Sequence, residues 1–119
     1  MQPIETAEIN LEEYGRKVFQ YKDSPSQLDT LGIELVGFYA YYQSKMIPLE
    51  LQEAKFWQEV KDWKADKPKS DATVKALWRC TPEGIKMREY ERVLKTISAL
   101  MSMIKSSIRR AETEMRNLN

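Results

Sequence analysis

The residues best suited to chemistry in this chain are basic side chains that cluster in its C-terminal half. Residues 1–59 hold 10 acidic and 5 basic side chains, whereas residues 60–119 hold 8 acidic and 14 basic side chains. Lysine and arginine contacts with phosphates give affinity for nucleic acid without sequence specificity. The candidate nucleic-acid-binding residues lie around a predicted turn and on the last predicted helix: Lys61, Lys64, Lys67, Lys69, Lys105, Arg109, Arg110 and Arg116. The alternative is a solvated face, or a face that pairs with the acidic N-terminal half.

The other reactive residue types argue against catalysis. The chain has no histidine, which excludes His-based triads and His-bearing zinc sites, and its single cysteine excludes an internal disulfide. We interpret Cys80 as a buried, inert thiol, because no second thiol or base accompanies it. Glu50 and Glu53 share a predicted helix face, and an oxygen-only magnesium site there is an alternative. We expect no enzyme activity, no cofactor and no small-molecule substrate.

The N-terminal sequence MQPIETAEIN lacks a basic segment followed by an apolar run, and no stretch approaches about 18 apolar residues. We therefore expect a cytoplasmic protein, located in the host cytoplasm if it is viral, with no membrane partner.

The elements that must position these residues are helices, because the chain is rich in Leu, Glu, Lys, Gln, Met and Arg and poor in Gly. We predict one helical domain over residues 1–119. A short helix covers about 10–22, and a first long arm covers about 25–66 with a kink or break near Pro48. A turn at 67–70 leads to a second long arm over about 71–118, which Pro82 kinks or restarts.

Two apolar stripes predict how the long arms pair. On the second arm the spacing alternates between 4 and 3 over four heptads, at Tyr90, Leu94, Ile97, Met101, Ile104, Ile108, Ala111, Met115 and Leu118. Pairing residues whose numbers sum to about 136 sets Leu35 opposite Met101 and Leu49 opposite Met87. The predicted fold is all-α: a long antiparallel, coiled-coil-like helical hairpin with a short N-terminal helix.

We expect this hairpin to assemble with itself into a dimeric or tetrameric helical bundle. The apolar stripe of the second arm is wider than one partner helix would bury, and exposed aromatic side chains are suited to subunit or partner contacts. The candidate interface residues are Tyr39, Tyr41, Trp57, Val93, Leu100 and Met103. Core packing is the alternative for the aromatic side chains.

The second half of the chain resembles the C-terminal region of small all-helical proteins encoded by tailed bacteriophages. The resemblance rests on SDATVKALWRC before a long helix and on ISALMSMIKSSIRRAETEMRN near its end. LGIELVGFYAYYQ and LQEAKFWQEVK are similar to the first arm, so the resemblance covers roughly residues 26–117. Such proteins are often encoded near DNA replication and recombination functions. The resemblance implies an accessory role on DNA or on a DNA-processing protein, and it adds no catalytic residues.

The leading hypothesis is a non-enzymatic, phage-type accessory protein that binds DNA or a replication or recombination protein through an oligomeric helical hairpin. The alternative is a protein-protein interaction module, such as an inhibitor of a host or viral protein, that does not touch nucleic acid.

Overall fold

The structure, a computed structural model, describes residues 9–61, 67 and 69–118. Within these residues the chain forms four helices and no strand: α1 (Leu11–Gln20), α2 (Pro25–Lys61), α3 (Asp71–Arg79) and α4 (Pro82–Leu118). The predicted all-α fold is confirmed. The chain divides into two compact units, residues 1–42 with 93–119 (unit 1) and residues 43–92 (unit 2). Lys64, Pro68 and the predicted end of the first arm at 62–66 lie outside the described residues.

Short polar side chains begin the helices, as the sequence predicts. The Asn10 side chain accepts a hydrogen bond from the Glu13 N–H at 3.0 Å, and the Ser70 hydroxyl accepts one from the Thr73 N–H at 3.2 Å. Pro25 is the first residue of α2, where its missing N–H removes no helical hydrogen bond.

The second arm is two helices, so the structure decides between a kink and a restart at Pro82. The Thr81 hydroxyl donates to the Trp78 carbonyl at 2.6 Å and accepts from the Gly84 N–H at 2.9 Å. One side chain thus caps the end of α3 and the start of α4. A Cβ atom at Gly84 would lie 1.9 Å from the Trp78 carbonyl oxygen, so this junction needs glycine.

Of the kink or break predicted near Pro48, the structure excludes the break, because α2 continues through the proline. Pro48 is exposed and Leu49, the next residue, is buried in a cluster with Trp78 and Met87. Tertiary packing of this kind stabilises a helix more than local propensity does, and it outweighs the one backbone hydrogen bond that proline removes.

Unit 1 packs α1, the first part of α2 and the second part of α4 around a leucine-rich core. Val18, Leu28 and Leu35 are almost fully buried. The Tyr14 and Phe38 rings of α1 and α2 meet edge to face at 6.0 Å. The Tyr14 hydroxyl donates to Glu34 at 3.3 Å. Burial and the neighbouring Glu34 charge raise the pKa of Tyr14, so the phenol keeps the proton that it donates.

The predicted register of α2 against α4 is confirmed by a close approach in unit 1. A Cβ atom at Gly32 would lie 3.8 Å from Ile104 Cγ2, and these two residue numbers sum to 136. Unit 2 has the same register, since Met46, Leu49, Met87 and Tyr90 belong to one apolar cluster. The Phe56 ring lies 5.4 Å from the ring of Trp78 in that cluster, as the predicted pairing requires.

The buried residues of α4 differ from the predicted heptad at one of its two apolar positions, the one that holds Met101 and Ile108. Ile97, Leu100, Ile104 and Ala111 are buried, whereas Met101 and Ile108 are only half-buried. Unit 1 packs three helical segments, so α4 buries a wider face there, and that face includes Leu100. Leu100, a candidate interface residue, is therefore buried within unit 1.

The buried face of α4 also ends before the last residues of the predicted heptad pattern. Met115 is 60% exposed. The register places Ala111 opposite Pro25, the first residue of α2, so α4 continues beyond the end of its partner helix.

None of the helices in residues 9–61 and 69–118 combines the length and the apolar character that crossing a membrane requires.

The α4 seam makes a testable prediction about stability. Ile104 is 4% exposed, so Ile104→Asp should lower the free energy of unfolding by more than about 3 kcal/mol, measured by chemical denaturation. The neighbouring Met103 is 52% exposed, and Met103→Asp should change the free energy of unfolding by less than about 0.5 kcal/mol. Equal effects of the two substitutions would contradict the assignment of Ile104 to the buried seam and Met103 to the surface.

The α3–α4 junction makes a second prediction. Gly84→Ala should lower the free energy of unfolding by about 1–3 kcal/mol, because its methyl group collides with the Trp78 carbonyl. Gly15 in α1 has open space around a built Cβ atom, and Gly15→Ala should raise the free energy of unfolding by about 0.5–1 kcal/mol. Thermal and denaturant unfolding measure both changes, and a stabilised Gly84→Ala variant would disprove the junction geometry.

Candidate nucleic-acid interface

Three of the candidate basic residues share one face of α4. Lys105, Arg109 and Arg116 are exposed, and at about 100° per residue they lie within about 40° of one another around the helix. Ile104 and Ala111 are buried on the opposite side. The buried seam therefore holds these three side chains outward, and we call them the basic face.

Arg110 does not belong to the basic face, although the sequence grouped it with the other three. It lies about 100° around the helix from Arg109. Its guanidinium is 3.7 Å from the Asp23 carboxylate and 4.0 Å from the Glu114 carboxylate. Two acidic partners compensate its charge, so Arg110 is a link between the α1–α2 turn and α4 within unit 1.

The predicted basic cluster at the turn is weaker in the structure than in the sequence. The Lys61 side chain is only 15% exposed and forms an ion pair with Asp71 at the start of α3. Lys67 and Lys69 are exposed, and Lys64 lies outside the described residues. Lys61 thus contributes to packing between two helices, and we leave it out of the candidate interface.

The candidate interface residues are divided between core and surface. Tyr39, Tyr41, Trp57 and Val93 are half-buried, and Met103 is exposed. The Tyr41 ring meets the ring of buried Tyr42 edge to face at 5.1 Å, so much of its surface is used within unit 1. Only Met103 keeps the exposed apolar surface expected of a partner contact.

The sequence reasoning missed a second apolar stripe on α2. Three of its members belong to unit 1 and three to unit 2, and all are exposed and apolar or small. Within each unit they lie within about 40° of one direction around the helix, opposite the buried residues of that unit. We call this stripe the outer face of α2: Ile33, Gly37, Ala40, Ser44, Ile47 and Leu51. Its spacing of 4, 3, 4, 3 and 4 residues can be read from the sequence. The apolar stripe that forms the core of the same helix is more pronounced, and the prediction followed that stripe.

Unit 2 contains a small cavity with charged walls. It has a volume of about 170 Å³, and Trp78 and Met87 supply apolar walls. Its charged lining residues are Glu53, Lys75, Arg79, Arg88 and Glu91. Burial first, and then the charges of Glu91 and Glu50, raise the pKa of Glu53, while Lys75 opposes the shift. The cavity therefore brings two repelling carboxylates close to cations that partly compensate them.

Two other sequence interpretations are tested by the described residues. Within them, no group of three or more His, Cys, Asp or Glu side chains could hold a metal ion, so Glu50 and Glu53 gain no third ligand of these types. Cys80 is exposed, not buried as predicted. It is the C-cap residue of α3, at the junction between α3 and α4.

No protein-family model, no curated protein and no solved structure matches this chain significantly. The resemblance to phage proteins therefore stays a prediction.

The raised pKa of Glu53 predicts a pH dependence of stability. A raised pKa means that the folded state binds the proton more tightly, so stability is lost as the pH rises from the ordinary value of 4.5 through the folded-state pKa. Glu53→Gln should therefore unfold at higher denaturant concentration than the wild type at pH 7. The two proteins should converge below pH 4.5. Glu89→Gln, at an exposed position, is the control, and a lower stability of Glu53→Gln at pH 7 would contradict the prediction.

Proposed function

We propose that this chain is a non-enzymatic helical accessory protein that binds DNA through the basic face of α4. The observation that supports the proposal most directly is the common orientation of Lys105, Arg109 and Arg116, three exposed cations held outward by a buried seam. Positioned cations of this kind gain affinity by releasing counterions from the phosphate backbone.

The dimensions and neighbours of the basic face suit contacts with a phosphate backbone. Lys105 and Arg116 are about 16 Å apart along the helix axis. Ser98 and Ser102 are exposed on the same side of α4, and hydroxyl groups commonly donate hydrogen bonds to phosphates. Glu112 is exposed within the same face and weakens its potential. These features predict modest, salt-sensitive binding that does not distinguish base sequences.

The biological setting of the proposal comes from the resemblance to phage proteins. Their position near replication and recombination functions supports an accessory role in DNA processing, in the cytoplasm of the host. The basic side chains would hold the protein on DNA, and a DNA-processing protein would be the second partner.

The alternative proposal is a protein-protein interaction module that does not bind nucleic acid. The specific observation in its favour is the exposure of Ile33, Ile47 and Leu51 on the outer face of α2, at 68%, 59% and 63%. Exposed apolar side chains that line one helix face mark contacts with other proteins more often than scattered ones do.

Fluorescence anisotropy with labelled single- and double-stranded oligonucleotides tests the DNA proposal. Combined Lys105→Gln, Arg109→Gln and Arg116→Gln substitutions should weaken binding at least about tenfold at low salt. They should also reduce the slope of log affinity against log salt by about one for each contact removed.

The matched control removes three basic side chains from α1 and the turn that follows it: Arg16→Gln, Lys17→Gln and Lys22→Gln. It changes the net charge equally and should leave the affinity within about threefold, because these side chains lie on α1 and the α1–α2 turn and not on the basic face. Equal losses of affinity in the two variants would show that binding depends on net charge alone. No binding of the wild type at low salt would remove the DNA proposal and favour the protein-interaction alternative.

A further inference from the structure

The cavity of about 170 Å³ in unit 2 lies among three helices, each of which supplies charged side chains. Glu53 comes from α2, Lys75 and Arg79 come from α3, and Arg88 and Glu91 come from α4. Residues three or four positions apart share one face of a helix, so the two side chains from α3 point the same way, as do the two from α4. All five residues belong to unit 2, so the cavity is contained in one compact unit.

The two signs of charge are concentrated at different ends of the cavity. Gly84 lines the cavity beside the α3–α4 junction, and Glu91 is about 10 Å farther along α4. Arg79 is the last residue of α3 and lies at the junction end, and Arg88 lies between the two ends. Glu91 marks the other end, where its charge acts on Glu53. The cavity is therefore more cationic near the junction and more anionic at the far end.

The charged side chains around the cavity do not neutralise one another by direct contact. Within the described residues no ion pair joins any two of them. Glu53 is half-buried, and its burial together with the charges of Glu91 and Glu50 raises its pKa, while Lys75 opposes the shift. A cation that contacts such a carboxylate directly removes the cost of its burial and of the repulsion. The anionic end therefore favours a cationic group from outside the chain.

The floor of the cavity is apolar. Trp78 is 5% exposed and Met87 is 8% exposed, and both line the cavity. An alkyl chain gains free energy by packing on such side chains, and an indole ring also attracts an ammonium group through its π face. Since a cavity of about 150 Å³ can hold a benzene molecule, a ligand of about six to ten non-hydrogen atoms fits here.

We propose that this cavity binds a small zwitterion, an ω-amino carboxylate whose ammonium group lies between Glu53 and Glu91 and whose carboxylate contacts Arg79 and Arg88. The alkyl chain between the two groups packs on the apolar floor. Guanidinium groups bind carboxylates through paired hydrogen bonds, and carboxylates accept charge-assisted hydrogen bonds from an ammonium group. The ligand is bound without a chemical step.

This inference goes beyond the proposed function and does not depend on it. The residues of the cavity belong to unit 2, whereas Lys105, Arg109 and Arg116 of the basic face belong to unit 1. Ligand binding in the cavity and DNA binding can therefore fail separately.

Nuclear magnetic resonance titration of isotope-labelled protein with 6-aminohexanoate at low salt is the first test. We expect saturable shifts of the amide signals near Glu53 and over residues 75–91, with a Kd of about 0.1–1 mM for a ligand of this size. Hexylamine and hexanoate each carry only one of the two charges. Each should bind at least about tenfold more weakly than 6-aminohexanoate, because one charged hydrogen-bonding group is lost.

Two neutral substitutions test the two ends separately. Glu53→Gln should weaken binding of 6-aminohexanoate at least about tenfold and leave hexanoate within about threefold. Unfolding does not explain such a loss, since Glu53→Gln is expected to be the more stable protein at neutral pH. Arg88→Gln should weaken 6-aminohexanoate by a similar factor and leave hexylamine within about threefold.

The matched controls are Glu89→Gln and Lys86→Gln. They remove one negative and one positive charge from exposed positions on α4 that do not line this cavity. Each should leave the Kd for 6-aminohexanoate within about threefold of the wild-type value.

Four results would overturn the proposal. The first is the absence of saturable shifts at millimolar 6-aminohexanoate, and the second is a set of shifts that maps outside the cavity. The third is binding of hexanoate or hexylamine as tight as that of 6-aminohexanoate, which would show a site for a simple anion or a simple cation. The fourth is an equal loss of affinity in the cavity variants and their controls, since net charge would then account for the binding.

Discussion

The burial of one face of α4 is the constraint on which the other features of this protein depend. Ile97, Leu100, Ile104 and Ala111 are withdrawn from water in unit 1, and their burial fixes the rotation of α4 about its axis. Once that rotation is fixed, the direction of every other side chain on the helix follows from about 100° per residue. The basic face exists because Lys105, Arg109 and Arg116 lie away from this seam.

The long helix α2 differs from α4 in having apolar residues on two opposite sides. One side packs in the cores of the two units, and the outer face carries no charge between Asp29 and Lys55. A helix needs only one apolar side to pack within its own chain. Packing among the described residues therefore does not explain the second side.

Much of the fold follows from local patterns in the sequence. The residues that begin helices, at Asn10, Pro25 and Ser70, are recognisable because capping depends on the chemistry of one or two side chains. The register of α2 against α4 follows from heptad spacing and is seen at Gly32 and Ile104. The choice of Leu100 over Met101 for the seam does not follow, because both fit a 3–4 spacing and only the number of packed helices distinguishes them.

The candidate nucleic-acid interface likewise has some features that the sequence determines and others that only the tertiary structure determines. That the C-terminal half is cationic is determined by the sequence alone, as is the absence of histidine, because both are properties of composition. Only the tertiary structure decided that Arg110 meets Asp23, that Lys61 is paired with Asp71, and that Cys80 is exposed. The physical reason is that these contacts join residues on different elements, or depend on how the chain turns between them. Sequence periodicity describes one helix at a time, whereas the partner of a charge is set by the packing of several.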